Sequence, residues 1–477
     1  MTQVRYPTID LFLYDLHDSL GASSKELHES RRRFWQRIYN GTLTEAKLSE
    51  LQATEKTFAS YVELLGDRRR EPFSPEFDGY YYPVKLGDTY ALQVDCSGRK
   101  DDPTWESLPL TTKLQQTKDI VLSHTHDTPG DMGQNWLIWG QLTEAEQDPE
   151  AIAQECYEAA NIISDANWRY DLKSQGCYKG AKLFELERRD YVPDGINQNH
   201  YVLVCLFPHD QTKRDIQKTL GQLYRNLIRI FYSRNKILWV YEQSRKLKLE
   251  LKERSSTIKD IVGSLSNYVT APVLDLKQLQ VDLSRALKAS HYYETSLSYL
   301  QEQVSTIQIN TDNYNKRILE LAKLDSDKDE QRAREKLDDA DGSLAFLQRF
   351  GDFAHHNYLS QIQVDYEALS AGLKPLDNFI QAVEGITEIE KAKNERTFNR
   401  TVAAASVGIS AASLFASTYT GQAAEIVQTL RPFPANTPTP ALNTWLTFGS
   451  AFLFSVIVGV CGAALTWYLL SNRTKRS

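Results

Sequence analysis

The chain has 477 residues, with 55 Lys and Arg against 62 Asp and Glu and a formal net charge of −7. This length exceeds that of one ordinary domain and predicts two or three. The acidic balance argues against a dedicated nucleic-acid binder, which usually carries a basic surplus, so we expect no nucleic-acid partner. The 5 cysteines are widely spaced and odd in number, which favours reduced thiols over a secreted disulfide framework.

Residues 1–210 are predicted to form a cytosolic domain of the α+β or α/β class. Short apolar stretches bounded by turn residues predict strands, and the Gly-containing loop at 85–89 predicts a β-hairpin. The predicted strands are 9–13, 80–84, 90–94, 136–142 and 201–207, with a weaker one at 182–186.

Helical segments are predicted between these strands, notably at 25–65 and 149–168. The first contains a run of arginines at 31–33 and ends near a second run at 68–70. For these arginines a solvated helix face is favoured over contact with an anionic lipid or a nucleotide.

Residues 211–400 show almost no strand pattern and are predicted to form a helical stalk. Apolar residues recur at every third or fourth position, and such spacing over several repeats indicates long helices packed as a coiled coil or a bundle. Breaks are expected at Pro272, within the charged segment 325–341 and at Pro375. The three apolar seams are Ile216, Leu220, Leu223, Leu227 and Ile230; Leu297, Leu300, Val304, Ile307, Thr311, Tyr314, Ile318 and Leu321; and Ile362, Tyr366, Leu369, Leu373, Leu376, Ile380 and Val383.

Two uncharged runs, 401–424 and 432–472, mark the C-terminal part of the chain. Because crossing hydrocarbon takes roughly 20 apolar residues, we expect transmembrane helices at 401–424 and 442–471, joined by an external loop at 425–441. A buried helix of a soluble fold is the alternative for the first run, which is rich in Ala and Ser. Basic residues before the first run and in the tail at 472–477 predict that both termini are cytoplasmic. The predicted localisation is therefore multi-pass in a plasma or inner membrane, with the lipid bilayer as a partner.

Hydroxyl side chains in the first uncharged run recur at helical spacing, which places them on one helix face. Several copies of such a helix could turn this stripe to a common axis and line a narrow pore, whereas the alternative is close packing between helices through small residues. The candidate pore-lining residues are Asn399, Ser406, Ser410, Ser413, Ser417 and Thr420.

The succession of an α/β domain, stalk helices, a small-residue span, a short loop, an apolar span and a basic tail resembles the CorA-type metal-ion transporters. The resemblance implies a homo-oligomer, a pentamer as in that family, with a divalent cation such as Mg²⁺ as permeant or regulator. The family's Gly-Met-Asn motif is absent, so the resemblance is to a divergent member and does not carry over Mg²⁺ selectivity. The corresponding external pore mouth consists of Tyr419, Gly421, Gln422 and Glu425.

The segment 325–341 is dense in carboxylates and lacks the full pattern of an EF-hand. A solvated turn between helices is favoured, and the functional alternative is a low-affinity sensor of divalent cations between subunits. The candidate metal ligands are Asp325, Asp327, Asp329, Asp338 and Asp339.

His124, His126 and Asp127, followed by Asp131, have residue types suited to a metal site. His124 and His126 precede Asp127 in a loop with Pro and Gly, where a solvated loop is favoured over catalysis. His355 and His356 lie in a helical region and are interpreted as a packed or interfacial pair.

The chain lacks the common nucleotide-binding and hydrolase motifs, so we predict that it is not an enzyme and assign no certain cofactor. The sequence predicts a gated ion pathway with a cytosolic sensing domain. The alternative is a membrane-anchored coiled-coil protein that acts in signalling or as an effector, without ion selectivity.

Overall fold

The computed structural model describes residues 4–18, 23–55, 59–190, 198–270, 275–326, 331–332, 337 and 344–393. These residues form two compact units. The first contains residues up to Lys248 together with Tyr299–Tyr366, and the second contains Leu249–Ser298 together with the residues from Glu367 onward.

A mixed sheet is the centre of the first unit. Its strands follow the order β2-β4-β5-β1-β6-β9-β8-β7, and β3 pairs with β4. Neighbouring strands are antiparallel except β6 and β9, which are parallel. The strands are β1 (Val4–Leu16), β2 (Val62–Glu63), β3 (Glu71–Pro72), β4 (Phe77–Leu86), β5 (Thr89–Arg99), β6 (Gly133–Leu142), β7 (Leu172–Tyr178), β8 (Ala181–Asp190) and β9 (Gln198–Phe207).

All six predicted strands and the predicted hairpin are present, each strand extending beyond its predicted bounds. Successive side chains of a strand point to opposite faces, so each strand contributes to two layers. In β1, Ile9 and Leu11 face one side and join its apolar core. Asp10 and Phe12 face the other side. The predicted N-terminal domain of mixed α and β structure and the long helices that follow it are confirmed.

Short helices cover the first face of the sheet and bury Phe34, Trp35, Leu114 and Tyr157 against it. The segment predicted as one helix at 25–65 contains two helices, because Gly41 adopts a φ of +71° and Thr44 caps a new start. These helices are α1 (Ser24–Tyr39), α2 (Glu45–Thr54), α3 (Pro103–Ser107), α4 (Leu110–His124), α5 (Pro149–Ala160) and α6 (Trp168–Asp171).

The N-terminal part of a long helix, α7 (Lys213–Thr270), packs on the second face of the sheet. Phe231 contacts Phe12 and Tyr201 edge-on, with ring centroids 5.2 and 5.4 Å away. The Tyr14 hydroxyl donates to the Ile228 carbonyl at 2.9 Å. These contacts fix the first half of α7 against β1 and β9.

The residues of the predicted seams lie in α-helices, except Leu373, which lies in a 3₁₀ turn that separates two helices of the third seam. After α7 come α8 (Leu276–Asp325), α9 (Ala345–Phe353), a π-helical turn (Ala354–Leu359), α10 (Ser360–Ser370), a 3₁₀ turn (Ala371–Leu373) and α11 (Lys374–Lys393). In the second unit, segments of these helices bury apolar residues such as Leu251, Leu279 and Phe379. Tyr293 donates to the Leu369 carbonyl there, at 2.9 Å.

The predicted multi-pass membrane localisation, with both termini cytoplasmic, is contradicted by the helices of the described residues. A membrane span needs roughly 20 apolar residues, and none of the helices from α1 to α11 has that combination of length and apolarity. The spans predicted at 401–424 and 442–471, the loop at 425–441 and the tail at 472–477 lie outside the described residues.

Candidate functional site

A pocket of about 270 Å³ opens between the second face of the sheet and the first turns of α7. From the sheet side it is lined by Glu63, Arg69, Arg70, Tyr82 and Gln93. Its volume is near the lower end of the range of small-molecule sites, about 300–1,000 Å³. The pocket therefore suits a small ligand.

The wall formed by α7 comes from one face of that helix. Lys218, Gly221, Gln222 and Arg225 line the pocket, and residues three or four positions apart share a helix face. A Cβ added to Gly221 would meet no atom within 4 Å. The absence of a side chain at this position therefore keeps the pocket open.

The two arginines from the sheet side are held by a strained turn. Arg69 has a φ of +55° and a ψ of −40°, and the amide of Arg70 donates to the Arg68 carbonyl at 2.6 Å. This is a γ-turn with positive φ, which is rare and costs about 1–3 kcal/mol. Backbone strain of this kind clusters at binding and active sites, so its position beside the pocket favours a functional role.

Positive charge exceeds negative charge in the pocket. Arg69 pairs with Glu63, with Nε and Oε2 3.0 Å apart. The Arg70 guanidinium lies over the Tyr80 ring, 4.3 Å from its centroid. Among the described residues, neither Arg70 nor Lys218 nor Arg225 forms an ion pair. These cations are available to an anionic ligand.

Below the pocket, two carboxyl groups are buried side by side. Asp10 and Asp95 are register partners on β1 and β5, and both accept from the Tyr224 hydroxyl, at 2.9 and 3.2 Å. Gln93 donates to Asp10 Oδ1 at 2.7 Å. Burial raises the pKa of both carboxyl groups, and the charge of Asp95 adds to the effect on Asp10. The pair can therefore hold a proton that ordinary carboxylates would lose.

The pore-lining and pore-mouth residues predicted from sequence lie outside the described residues, so their roles stay predictions. The same holds for Asp327, Asp329, Asp338 and Asp339. Asp325 is the last residue of α8, and its Oδ1 accepts from the Lys179 amide at 2.9 Å. No group of three metal-ligating side chains occurs among the residues that the structure describes.

His124 belongs to the packing of the first unit. It ends α4, and its ring stacks on Phe73 with centroids 4.1 Å apart. His126 is exposed in the following turn. His355 and His356 are exposed on the π-helical turn, with ring centroids 5.1 Å apart. The described contacts thus bring neither histidine pair into the pocket.

The sequence alone did not predict this site, although the arginines at 68–70 stood out in it. The arginines at 68–70 were interpreted as a solvated helix face, whereas Arg69 and Arg70 follow a 3₁₀ turn and line the pocket. A signal was present in α7, where Lys218, Gln222 and Arg225 recur at helical spacing opposite the apolar seam. Their partners in the site are more than 120 residues away in the sequence.

In comparisons with known proteins, no family model matches this chain, and no curated protein is significantly similar to it. The site must therefore be interpreted from its own geometry.

Proposed function

We propose that the protein is a sensor of a small oxyanion, with a phosphate group as the ligand chemistry and the pocket beside α7 as its site. The observation that carries the proposal is the convergence of Arg70, Lys218 and Arg225, without ion pairs among the described residues, on one pocket. Guanidinium groups match tetrahedral oxyanions because their planar N–H donors can bind two oxygens at once.

Long helix α7 is the element that would transmit binding. Lys218 and Arg225 lie in its N-terminal part, and the helix, 58 residues long in all, ends at Thr270. A ligand that binds more tightly when the N-terminal part occupies one position than when it occupies another shifts the equilibrium towards the first position. The difference between the two affinities sets the size of the shift. This proposal retains the sensing domain of the ion-pathway hypothesis.

The proposal is tested by occluding the pocket from Gly221. In Gly221→Leu the side chain enters the open space, and we expect binding of sulfate and inorganic phosphate, measured by calorimetry on the purified full chain, to weaken at least tenfold. Replacing a helical Gly also favours the helix by up to about 1 kcal/mol, so the variant is expected to fold.

Gly263→Leu is the matched control. Gly263 is exposed on the same helix, and a Cβ there also meets no atom within 4 Å. Equal anion affinity in both variants, or no anion binding by the unmodified chain, would reject the proposal. Arg70→Gln and Arg225→Gln should each weaken binding and reduce its dependence on ionic strength, because salt screens exposed charges.

A gated ion pathway stays a prediction, because every residue predicted to line it lies outside the described residues.

A further inference from the structure

Several hydrogens of the pocket's neutral polar groups are already committed to carboxyl groups. The Gln93 amide nitrogen donates to Asp10, and the single hydroxyl hydrogen of Tyr224 is directed at the Asp10 and Asp95 carboxyl groups. The Tyr82 hydroxyl donates to Glu63 Oε1 at 2.9 Å. Tyr224 and Tyr82 have only oxygen lone pairs left to offer a ligand, whereas Gln93 offers its Oε1 and the second hydrogen of its amide nitrogen.

Strand register groups these acceptors. Tyr82 and Gln93 are register partners on β4 and β5, and Tyr224 of α7 lies over Asp10 and Asp95 in the next row of the same face. The Gln222 Oε1 accepts from Tyr178 at 3.5 Å, and its amide nitrogen remains a donor. The pocket thus combines cations that bind an anion with neutral oxygens that accept and with amide hydrogens of Gln93 and Gln222 that donate. A hydroxyl group can satisfy both kinds, because it donates and accepts.

We infer that the ligand is a phosphate monoester that also carries hydroxyl groups, of the polyol-phosphate or sugar-phosphate class. The inference rests on the proposed function: the phosphate binds Arg70, Lys218 and Arg225, and the hydroxyl hydrogens are donated to Gln93 and Tyr224. A ligand with an ammonium group in place of the hydroxyls would be repelled by the cations of the pocket. A ligand without donors would leave buried acceptors unpaired, which is costly.

The test compares two ligands of nearly equal size and charge, glycerol 3-phosphate and n-propyl phosphate, on the purified full chain at pH 8. We expect glycerol 3-phosphate to bind at least tenfold more tightly, because a site built for hydrogen bonds rejects analogues that lack them. Gly221→Leu should abolish binding of both ligands. In Tyr224→Phe one acceptor is lost, so the ratio of the two affinities should fall several-fold toward one.

The outcomes separate this inference from the proposal on which it rests. If neither ligand, nor sulfate, binds the unmodified chain, the oxyanion sensor itself is refuted. If both ligands bind with equal affinity, or propyl phosphate binds better, the anion site stands and the hydroxylated ligand class is overturned. The comparison is made on the unmodified chain, so it does not depend on the folding of Tyr224→Phe.

Discussion

Removal of the buried Arg234 guanidinium tests how the sheet and α7 are held together. Arg234 has 1% of its side chain exposed, and its Nη2 lies 2.9 Å from Glu187 Oε2 on β8. Its guanidinium is also sandwiched between the rings of Tyr201 and Phe350, 4.5 and 4.1 Å from their centroids. Arg234→Met keeps most of the volume and removes the charge.

The expected loss in the free energy of unfolding is about 3 kcal/mol. Breaking a buried pair by removing one partner costs about 3–5 kcal/mol, because a buried charge is left uncompensated. The lower value applies since Arg189 still pairs with Glu187, with Nε and Oε1 2.8 Å apart. Desolvated contacts between a cation and a ring add up to about 2 kcal/mol, which the Met side chain partly replaces.

Urea unfolding followed by circular dichroism measures this loss, with Arg214→Met as the control. Arg214 is exposed on the same helix, and its replacement should change stability by less than about 0.5 kcal/mol. Adding Glu187→Gln to Arg234→Met should recover about 0.5–3 kcal/mol relative to the sum of the single changes. A loss below about 1 kcal/mol in Arg234→Met, or strict additivity in the double variant, would refute this account of the pair.

The pair also has a pH signature. Burial raises the pKa of Glu187, but the positive charges of Arg234 and Arg189 outweigh it and hold the pKa at about 2. Because this is below the ordinary value of 4.5, the carboxylate contributes stability above pH 4.5, and that stability is lost as the pH falls towards 2. The difference between the unmodified chain and Arg234→Met should therefore shrink over this range.

The histidines give the remaining predictions. His124→Ala should lower the free energy of unfolding by about 1 kcal/mol through loss of stacking on Phe73, whereas replacement of the exposed His126 by Ala should lower it by less than about 0.5 kcal/mol. Anion binding should be unchanged in both variants, and weakened binding in either would contradict a packing role. Burial and then nearby positive charges lower the pKa of His17 from 6.5 to about 4, so stability should fall as the pH drops from 6.5 to 4. His17→Gln should remove this component in pH-dependent unfolding curves, and an unaltered curve would contradict it.

The strands and long helices followed from local patterns in the sequence. Alternation in β1 reflects two buried faces, with Ile9 and Leu11 in the apolar core and Phe12 against α7. The seam from Ile216 to Ile230 predicted the buried face of α7 in the same way, since burial imposes the period of the element on the sequence.

Breaks in helices were less predictable. The segment 25–65 has enough apolar residues for one helix, yet it turns at Gly41 and restarts behind Thr44. A glycine and a capping threonine produce such a restart only when the second helix can pack against an apolar core. That core is assembled from strands that are distant in the sequence.

The candidate site depended on tertiary structure alone. Arg70 and Arg225 are separated by 155 positions in the sequence, and they line one pocket because the N-terminal part of α7 packs on the face of the sheet that carries Tyr82 and Gln93. The side-by-side burial of Asp10 and Asp95 is likewise a consequence of strand register. The sequence by itself determined which segments became strands and helices, because that depends on periodic burial along the chain. Which charges converge depends on pairing between remote segments, which no local pattern encodes.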